Sequence, residues 1–524
     1  SEYELFQEDL DRLEPHIAAA MNRVPAFGEV GVKEVFNGAI AYTPDGSPIV
    51  GPAWDLKNFW LNEGHSFGVT VAGGAGRQLA EWIVEGEPSI DMMGVDPRRF
   101  GPYAARGYLR VKNEETYRNV FTIHFPDEER ADARPLKRSP CYDRMKARGA
   151  VFGQLYGWER PNWFAPKGVD PKDIWSFRRT NYFEHVGNEC RHVQEHVGLL
   201  DMTAFAKFEV SGPGAEDWLD GLVANRLPRR TGRLGLCHML SENGGVRSEF
   251  TIFREGEQKF YLVSAGAMER HDYDYLQKAL PADGVRLDKV TTQYGVLVLA
   301  GPRSRDLLQK VTDCELSNEN FPWLSGQFIN VGCAQARALR VNFVGELGWE
   351  LHHPIEMQNY IYDLLFDAGQ EFDLKPFGIR AMDSMRVEKS YRLIPRELSI
   401  EYAAFESGLD RFVHLNKGTF IGRDSLVGWQ QRGFDNALVT LEVGDITHSD
   451  ARGNEPIYLN GEMVGRCTSG AYGWRLGRSL ALGMVPPDLT ENGTAFEVEI
   501  LGERYPAAII SESPYDPGNE RLRA

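Results

Sequence analysis

One pattern occurs twice in the chain: an apolar, strand-like run ends at Gly-Pro and is followed by a short helix-like run. The first copy covers residues 208–219 and the second covers residues 296–308. Further strand-like runs lie at 259–263 and 341–352. A chain that alternates strands and helices in this way must cover its sheets with helices, so the pattern predicts a mixed α+β fold.

The helical pattern stops near residue 435. Residues 436–443 and 495–501 alternate between apolar and polar side chains, and Asn460-Gly461 follows the apolar run 457–459. Asn-Gly is a preferred sequence for a two-residue hairpin turn. The last part of the chain is therefore predicted to be a small antiparallel β-barrel or sandwich.

Composition narrows the classes of function. The 524 residues suggest about three or four domains, and the net charge of −17 disfavours a protein that binds nucleic acid. No run of about 18 apolar residues occurs, so no membrane-spanning helix is expected, and the first residues lack the pattern of a signal peptide. The six cysteines lie far apart without a CxxC pair, which indicates reduced and mostly buried thiols.

The N-terminal hundred residues contain a glycine-rich segment. Residues 3–21 predict an amphipathic helix, and residues 36–46 predict a strand that enters a turn at Pro-Asp-Gly. The segment 64–76 is rich in glycine and precedes a helical run at 77–84, so we interpret it as a loop at a helix N-terminus. Free N–H groups there suit a polar or anionic ligand atom. No complete G-x-G-x-x-G occurs, which argues against a complete Rossmann unit.

Two glutamates stand in settings that suit a ligand site. Glu249 follows a Gly-Gly turn at the start of an alternating strand, and Glu346 lies between two glycines near Trp349. Each has an ordinary alternative: Glu249 as a solvated acid at a strand edge, and Glu346 as a turn acid. Residues 380–389 predict a helix that is mostly salt-bridged surface, with room for one inward-facing arginine.

The sequence His192-Val193-Gln194-Glu195-His196 matches the H-x-x-E-H pattern of inverted zinc peptidases. Two histidines four residues apart on a helix can bind zinc. We interpret the segment instead as an exposed helix face without a metal, because no distant carboxylate with supporting context is evident. The apolar run 197–201 that follows is typical of core packing.

Taken in order, these segments resemble a known family. Residues 38–76 are similar to the C-terminal end of the FAD domain of D-amino-acid-oxidase-type enzymes, and residues 157–164 resemble a segment of sarcosine and dimethylglycine dehydrogenases. Residues 201–208, 244–249 and 343–351 resemble the aminomethyltransferase region that these enzymes share with the glycine-cleavage T-protein. T-proteins usually have Asp where this chain has Glu249, so the carboxylate here sits one methylene further out.

The resemblance implies a layout of four parts: the C-terminal part of an FAD domain (1–100), a connecting central domain (101–165), a T-protein-like folate-binding domain (166–430) and a C-terminal barrel (431–524). It also implies that the chain begins inside the FAD domain, whose other half lies on the same or another chain. The implied reaction is FAD-dependent oxidative demethylation of a sarcosine- or dimethylglycine-type amino acid. The one-carbon unit passes to tetrahydrofolate, giving 5,10-methylenetetrahydrofolate.

The resemblance also implies which residues carry this chemistry, with Glu249 as the catalytic carboxylate and no metal. The implied FAD-binding residues are Gly64, His65, Ser66, Phe67, Gly68, Val69, Thr70, Gly73, Gly74 and Gly76. The implied tetrahydrofolate-binding residues are Glu249, Phe250, Thr251, Glu346, Leu347, Gly348 and Arg386. Arg386 has two open roles, as a partner of a folate carboxylate or as a brace for Glu388.

Two other functions remain open from the sequence: a flavin-free folate-dependent aminomethyl or methyl transferase, and a non-catalytic folate-binding subunit. For the flavin enzyme, the expected electron acceptor is oxygen or an electron-transfer protein. The expected compartment is the bacterial cytoplasm or the mitochondrial matrix. Nucleic-acid and membrane partners are not expected.

Overall fold

The computed structural model describes residues 5–524. The predicted helix at 3–21 therefore lies partly outside the described residues, and within them it begins at Leu10. Its first turn is capped by Asp9, which accepts a hydrogen bond from the main-chain N–H of Arg12 at 3.0 Å. The helices and strands up to residue 195 are α1 (Leu10–Arg23), β1 (Ile49–Pro52), β2 (Trp60–Glu63), α2 (Gly68–Glu85), α3 (Arg106–Arg118), α4 (Tyr142–Ala147), β3 (Ala150–Leu155), β4 (Trp158–Phe164) and α5 (Phe183–Glu195).

The part before residue 124 leaves many large apolar side chains exposed. Helix α1 has no buried residue, although Pro15 and its neighbours form a regular helix. Phe36, Val69 and Phe121 are all more than two-thirds exposed. Among residues 5–123, β1 and β2 form the only sheet, and it packs against α2. An apolar surface of this extent usually marks a region that binds another protein surface.

The predicted strand at 36–46 is wrong, although its turn is right. The turn forms with an N–H of Gly46 donating to Thr43 at 3.2 Å, and Gly46 has a positive φ of 80°. The residues before it make only one isolated bridge, between Phe6 and Asn37. A strand needs a neighbour to pair its backbone groups, and the described chain offers none at this place.

The glycine-rich segment is also different from the prediction. Helix α2 begins at Gly68, so Gly73, Gly74 and Gly76 lie inside the helix and do not form a turn. A methyl group added at any of these three glycines would meet no atom within 4 Å. The sequence analysis predicted that the loop ends at Gly76, which is too late in the chain. Glycine lowers helix propensity by only about 1 kcal/mol, and tertiary packing can override this cost.

The central region contains two sheets. The first has five antiparallel strands in the order β10-β6-β9-β8-β7, and the second has six strands in the order β12-β13-β14-β11-β5-β15. The elements are β5 (Gly198–Asp201), β6 (Ala206–Ser211), α6 (Ala215–Leu222), β7 (Leu234–Leu240), β8 (Val246–Gly256), β9 (Lys259–Ser264), α7 (Glu269–Lys278), β10 (Arg286–Lys289), β11 (Tyr294–Ala300), α8 (Ser304–Gln309), β12 (Gly326–Val331), β13 (Ala334–Leu339), β14 (Gly348–Pro354), α9 (Gln358–Ala368), β15 (Lys375–Pro376), α10 (Ile379–Val387) and α11 (Arg423–Arg432).

The repeated strand, Gly-Pro, helix pattern is confirmed in both copies. In the first, β6 ends at Ser211 and α6 begins four residues later; in the second, β11 ends at Ala300 and α8 begins at Ser304. Each copy belongs to a different sheet. The predicted strand at 341–352 is shorter than expected, because residues 341–347 bend and β14 begins only at Gly348.

Helix α10 is a correction to the sequence interpretation, which made it mostly surface. Its residues contact α5, β4 and the strand Glu462–Gly473, and Arg386 is completely buried. The alternating charges that suggested a solvated face are instead compensated by buried partners.

The predicted C-terminal barrel is confirmed as a closed six-stranded barrel in the order β16-β19-β18-β17-β20-β21. The predicted Asn460-Gly461 turn joins β17 to β18, and both residues have positive φ values, of 53° and 87°. The remaining elements are β16 (Ala437–Val443), β17 (Pro456–Leu459), β18 (Glu462–Gly473), β19 (Arg478–Val485), β20 (Ala495–Ile500), β21 (Glu503–Ile510) and α12 (Glu520–Arg523).

Within residues 5–524, no helix combines the length and the apolarity that crossing a bilayer requires. All six cysteines are free, as predicted, and four of them are buried.

We predict that residues 1–100 do not fold when expressed alone. In the whole chain this part is held by buried ion pairs to the central region, with Arg98 on Asp274 and Glu87 on Arg247, both at 3.1 Å. Expression of the segment should give insoluble or unfolded protein by circular dichroism, with the intact chain as the control. A soluble segment that melts cooperatively would contradict the prediction.

Candidate functional site

A tight turn between β7 and β8 positions Glu249. Gly244 has a φ of 85°, and its N–H donates to Ser241 at 3.0 Å. A Cβ on Gly245 would lie 2.4 Å from the main-chain oxygen of Ile400, so only glycine fits between the turn and the neighbouring loop. Strand β8 lies inside the sheet, between β9 and β7. Glu249 therefore lies on an inner strand and is not a strand-edge acid.

Glu249 is bonded to a buried histidine. Its Oε2 lies 2.9 Å from Nε2 of His238, which is completely buried and packs edge-on against Phe412. The Glu249 side chain is 26% exposed, and its Oε1 has no hydrogen-bond partner in residues 5–524. One oxygen is thus fixed by the histidine and the other can accept a bond from a ligand.

The neighbour Ser248 has a structural place on the opposite face of β8. Its hydroxyl donates to Asp272 Oδ1 at 2.7 Å, and Ser264 donates to the other oxygen of the same carboxylate at 2.7 Å. Phe250 also lies on that face, in the core between the five-stranded sheet and α6. Of the three predicted folate residues on this strand, Glu249 and Thr251 have side chains on the face away from this core.

Glu346 is engaged by three partners. Its Oε1 accepts from Arg475 at 3.0 Å and from the hydroxyl of Tyr515 at 2.7 Å, and its Oε2 accepts from Arg521 at 2.8 Å. The residue is 1% exposed. Its predicted neighbours are equally enclosed: Leu347 is buried in the core, and a Cβ on Gly348 would lie 2.2 Å from the main-chain oxygen of Leu299. The folate role of Glu346 stays a prediction.

Arg386 does not make the pair with Glu388, which is one of the two roles that the sequence left open. Its guanidinium donates to Asp383 at 2.8 Å, to Glu397 at 3.1 Å and to the hydroxyl of Ser469 at 2.8 Å. Glu388 is bonded instead by Arg475. The idea that Arg386 braces Glu388 is therefore wrong. Its bonds join α10 to the following loop and to the barrel.

The sequence analysis missed Glu350, on β14. Its Oε2 lies 3.1 Å from Nε2 of His352, and Nδ1 of that ring lies 3.1 Å from the hydroxyl of Tyr261. In residues 5–524 no lysine or arginine lies within ion-pair distance of Glu350. Burial raises the pKa of the Glu350 carboxyl to about 8 and holds the pKa of His352 well below its usual value. This carboxyl thus combines deep burial with unused hydrogen-bonding capacity.

Glu249 and Glu350 face the same seam between the two sheets. Glu249 and Phe253 lie on one face of β8 because strand side chains alternate. Phe253 belongs to the hydrophobic cluster that joins the sheets, together with Leu339 of β13. Leu339 is paired directly opposite Glu350, so their side chains share a face. One signal in the sequence could have indicated this residue, since the segment Gly-Glu-Leu-Gly-Trp-Glu contains a second acid four residues after Glu346.

The predicted flavin residues lie around the start of α2. Gly64 has a φ of 70°, and a Cβ there would lie 2.7 Å from the Thr43 side chain. His65 is bonded to Asn62 at 2.7 Å. Phe67 precedes the helix without a side-chain cap, and Val69 is fully exposed. The helix thus presents an uncapped N-terminus and an open glycine face, while Trp82 at its other end is buried.

The two histidines of the H-x-x-E-H segment stack at 4.9 Å at the end of α5. Asp373, which the sequence analysis did not name, joins them, and one ligand atom from each residue lies within 4.8 Å of the others. The ammonium of Lys375 occupies the same place: it lies 3.0 Å from the Asp373 carboxylate and 3.5 Å from Nδ1 of His192. Burial, together with this ammonium, lowers the pKa of His192.

We predict that this cluster binds no metal in the native chain, because Lys375 already supplies the cation. Elemental analysis of protein purified without added metal should show no stoichiometric zinc. Stoichiometric zinc that disappears in His192→Ala would show that the cluster is a metal site after all. Lys375→Met is the matched variant, since it removes the competing charge and keeps both histidines.

Four family models match the chain in succession. They are described as FAD dependent oxidoreductase (residues 1–82), FAD dependent oxidoreductase central domain (85–139), GCVT N-terminal domain (141–417) and glycine cleavage T-protein C-terminal barrel domain (436–516). The third of these covers more than half of the chain and contains both glutamates of the seam.

Relatives match over almost the whole chain. Mouse mitochondrial dimethylglycine dehydrogenase is 38% identical over 99% of this chain and 60% of its own length. The 4-methylaminobutanoate oxidase (formaldehyde-forming) of Paenarthrobacter nicotinovorans is 32% identical over 99% of this chain and 63% of its own length. The chain thus spans about 60% of the length of the curated relatives it matches.

A solved structure agrees with the fold. The glycine cleavage system aminomethyltransferase T from Bartonella henselae superposes with a TM-score of 0.62, at 22% identity, over 73% of this chain and 98% of that one. The family models and the relatives establish that the chain belongs to the sarcosine and dimethylglycine dehydrogenase family, in which an FAD-dependent oxidoreductase region precedes a T-protein-like aminomethyltransferase region.

Proposed function

We propose that the chain serves FAD-dependent oxidative demethylation of a small N-methyl amino acid of the sarcosine or dimethylglycine type. In this proposal the one-carbon unit passes to tetrahydrofolate to give 5,10-methylenetetrahydrofolate. The observation that carries the folate part is the pair Glu249 and Glu350, two carboxyls with free acceptor capacity on one seam of the T-protein-like region.

Glu350 fits the flat, donor-rich edge of a pterin. A carboxylate with free oxygens can accept two parallel N–H bonds from adjacent ring and amino nitrogens. Its only partner in residues 5–524 is His352, so no internal cation competes with the ligand. A buried carboxyl without such donors costs free energy, which a bidentate ligand would recover.

Glu249 fits the chemical step. Its free oxygen can accept a proton from a folate amine nitrogen, and its negative charge stabilises a nitrogen that becomes cationic. His238 holds the other oxygen at 2.9 Å and so fixes the side chain. Thr251 lies two residues along the same face and borders the same space.

The flavin part of the proposal rests on α2 and on the match to an FAD-dependent oxidoreductase model over residues 1–82. Unpaired N–H groups at the helix start suit the polar atoms of a bound flavin, and the open glycine face allows close approach. When bound, FAD supplies the two-electron oxidation of the substrate C–N bond. Oxygen or an electron-transfer protein as the acceptor, and the cytoplasm or mitochondrial matrix as the compartment, belong to the same proposal.

Two measurements separate this function from its alternatives. Flavin absorbance in the purified native enzyme distinguishes it from a flavin-free transferase. Stoichiometric binding of tetrahydrofolate without turnover would indicate a non-catalytic folate-binding subunit, whereas absence of folate binding would contradict all three readings.

We predict that Glu249→Gln uncouples the two half-reactions. The variant keeps the shape and loses the proton acceptor, which should slow the folate step by about 10²- to 10⁴-fold. Reduction of the flavin by substrate should be nearly unchanged, because that step occurs at another site. The assay compares formaldehyde with methylenetetrahydrofolate at saturating folate, in flavin-loaded, active enzyme.

Glu249→Asp is the matched control for this experiment. It restores the acid that T-proteins usually carry and should retain part of the folate coupling. If Glu249→Gln couples as well as the parent, Glu249 has no catalytic role and the one-carbon site lies elsewhere.

We predict that folate affinity rises with pH through Glu350. With a free-state pKa of about 8, the carboxyl must lose its proton before it can accept two N–H bonds, so affinity should increase about tenfold per pH unit below pH 8 and then level off. Glu350→Gln should remove this slope and weaken binding by about 10- to 100-fold. Titration of tetrahydrofolate by fluorescence from pH 6 to 9 measures both effects.

Glu346→Gln is the matched comparison, because it tests the other acid of the same segment. Loss of this charge leaves Arg521 without a carboxylate partner and Arg475 with Glu388 alone, and it should lower the free energy of unfolding by about 3–5 kcal/mol. The pH slope of folate binding should remain. The opposite result, a slope that disappears in Glu346→Gln and persists in Glu350→Gln, would assign the pterin to Glu346.

A further inference from the structure

A cavity of about 310 Å³ lies where three parts of the chain meet. Its walls come from Asp91 in the segment after α2, from residues 395–402 after α10, and from barrel residues 452–454 and 466–468. The volume equals about ten water molecules at ~30 Å³ each, which is enough for a small organic molecule with its water. The Proposed function uses none of these residues.

The cavity wall carries charges of both signs. Arg452 is paired with Asp127, and Arg466 is paired with Glu401 at 2.7 Å and bonded to the hydroxyl of Tyr402 at 2.6 Å. These groups therefore satisfy one another and make up a polar wall with little net charge.

One cation of the wall, Arg396, forms no salt bridge among residues 5–524, although at longer range it acts with Arg386 to lower the pKa of Asp383. Arg396 donates to the main-chain oxygen of Arg452 at 2.8 Å, and no carboxylate lies within ion-pair distance of it in residues 5–524. Its other N–H groups have no acceptor there. A guanidinium with free, parallel N–H groups is the side chain best suited to bind a carboxylate in two places.

One anion of the wall is likewise without a cation. Asp91 Oδ1 accepts only the main-chain N–H of Met93 at 2.8 Å, and Oδ2 has no partner among the described residues. Burial raises the pKa of Asp91, and the nearby Glu401 adds to the effect. Glu401 itself accepts the main-chain N–H of Asp91 at 3.0 Å. Asp91 and Arg396 do not reach each other, although both line the same cavity.

We infer that this cavity is a binding site for a small zwitterionic amino acid, whose carboxylate meets Arg396 and whose amino group meets Asp91. A ligand with both charges satisfies both unpaired groups at once. A purely anionic ligand, such as the glutamate tail of folate, would meet the repulsion of Asp91. The choice of an N-methylated amino acid or its demethylated product as the natural ligand rests on the proposed function.

None of the predicted flavin residues lines the site, and neither Glu249 nor Glu350 lines it. It adjoins the barrel through Cys467 and Thr468, which line it. Asp91, which forms one wall, lies six residues after the end of α2, so the cavity lies at the boundary between the FAD-type and T-protein-like regions. An amino acid bound here remains next to both regions.

The test is isothermal titration of the whole chain without added flavin or folate. Sarcosine and glycine are the zwitterionic probes, acetate is the carboxylate alone, and methylamine is the amine alone. We expect saturable binding of sarcosine or glycine at one site per chain. Acetate and methylamine should each bind at least about tenfold more weakly, since each satisfies one of the two charges.

Three variants locate the site. Arg396→Gln and Asp91→Asn should each weaken zwitterion binding by about 10- to 100-fold, the range for loss of a charge-assisted hydrogen bond. Arg411→Gln is the matched control, because it removes one positive charge from a side chain that is 80% exposed. Thermal melting of each variant establishes that it is folded. Because the two variants change opposite walls of the cavity, the test does not depend on either variant alone.

Three results would overturn the inference: no zwitterion binding by the native chain, unchanged binding in both wall variants, or tighter binding of acetate than of glycine. The last would make the cavity a general anion site. Titration of tetrahydrofolate in the same variants should be unchanged. Failure of the cavity proposal is therefore distinguishable from failure of the folate proposal, which is tested by titrating tetrahydrofolate into Glu350→Gln.

Discussion

The guanidinium of Arg475 holds the central region and the barrel together. It is completely buried between Glu346 and Glu388, and it also donates to the main-chain oxygens of Val344 and Met385 at 2.8 Å. A buried charge of this kind is tolerated only when every donor finds an acceptor. The bend before β14, the end of α10 and the barrel are therefore fixed relative to one another by one side chain.

This constraint explains the different surroundings of two acids in one short segment. Glu346 lies in the bend and is drawn into the arginine network, whereas Glu350 lies in the strand that follows and faces the seam. The network neutralises the first acid and leaves the second without a cation. The capacity of Glu350 to accept ligand bonds thus depends on the separation that Arg475 maintains.

Sequence reasoning predicted the elements that local chemistry determines. The Gly-Pro breaks, the Asn-Gly hairpin and the Gly-Gly turn before Glu249 formed as expected, because turn residues restrict the backbone directly. The start of α2 and the burial of α10 were missed, since both depend on partners distant in sequence. The proposed site follows the same rule: the turn indicated Glu249, whereas Glu350 was not named, because its surroundings depend on where β14 begins.

The loop at 399–404 lines the cavity and also contacts the turn before Glu249. Two main-chain hydrogen bonds join it to the turn before Glu249: Val246 donates to Ser399 at 2.9 Å, and Ala404 donates to Gly244 at 2.9 Å. Gly245 packs directly against Ile400, with no room for a side chain. A movement of the loop is thus transmitted to the turn. Any influence of a ligand in the cavity on a ligand at Glu249 must act equally in the reverse direction, because the coupling free energy between two sites is a single quantity.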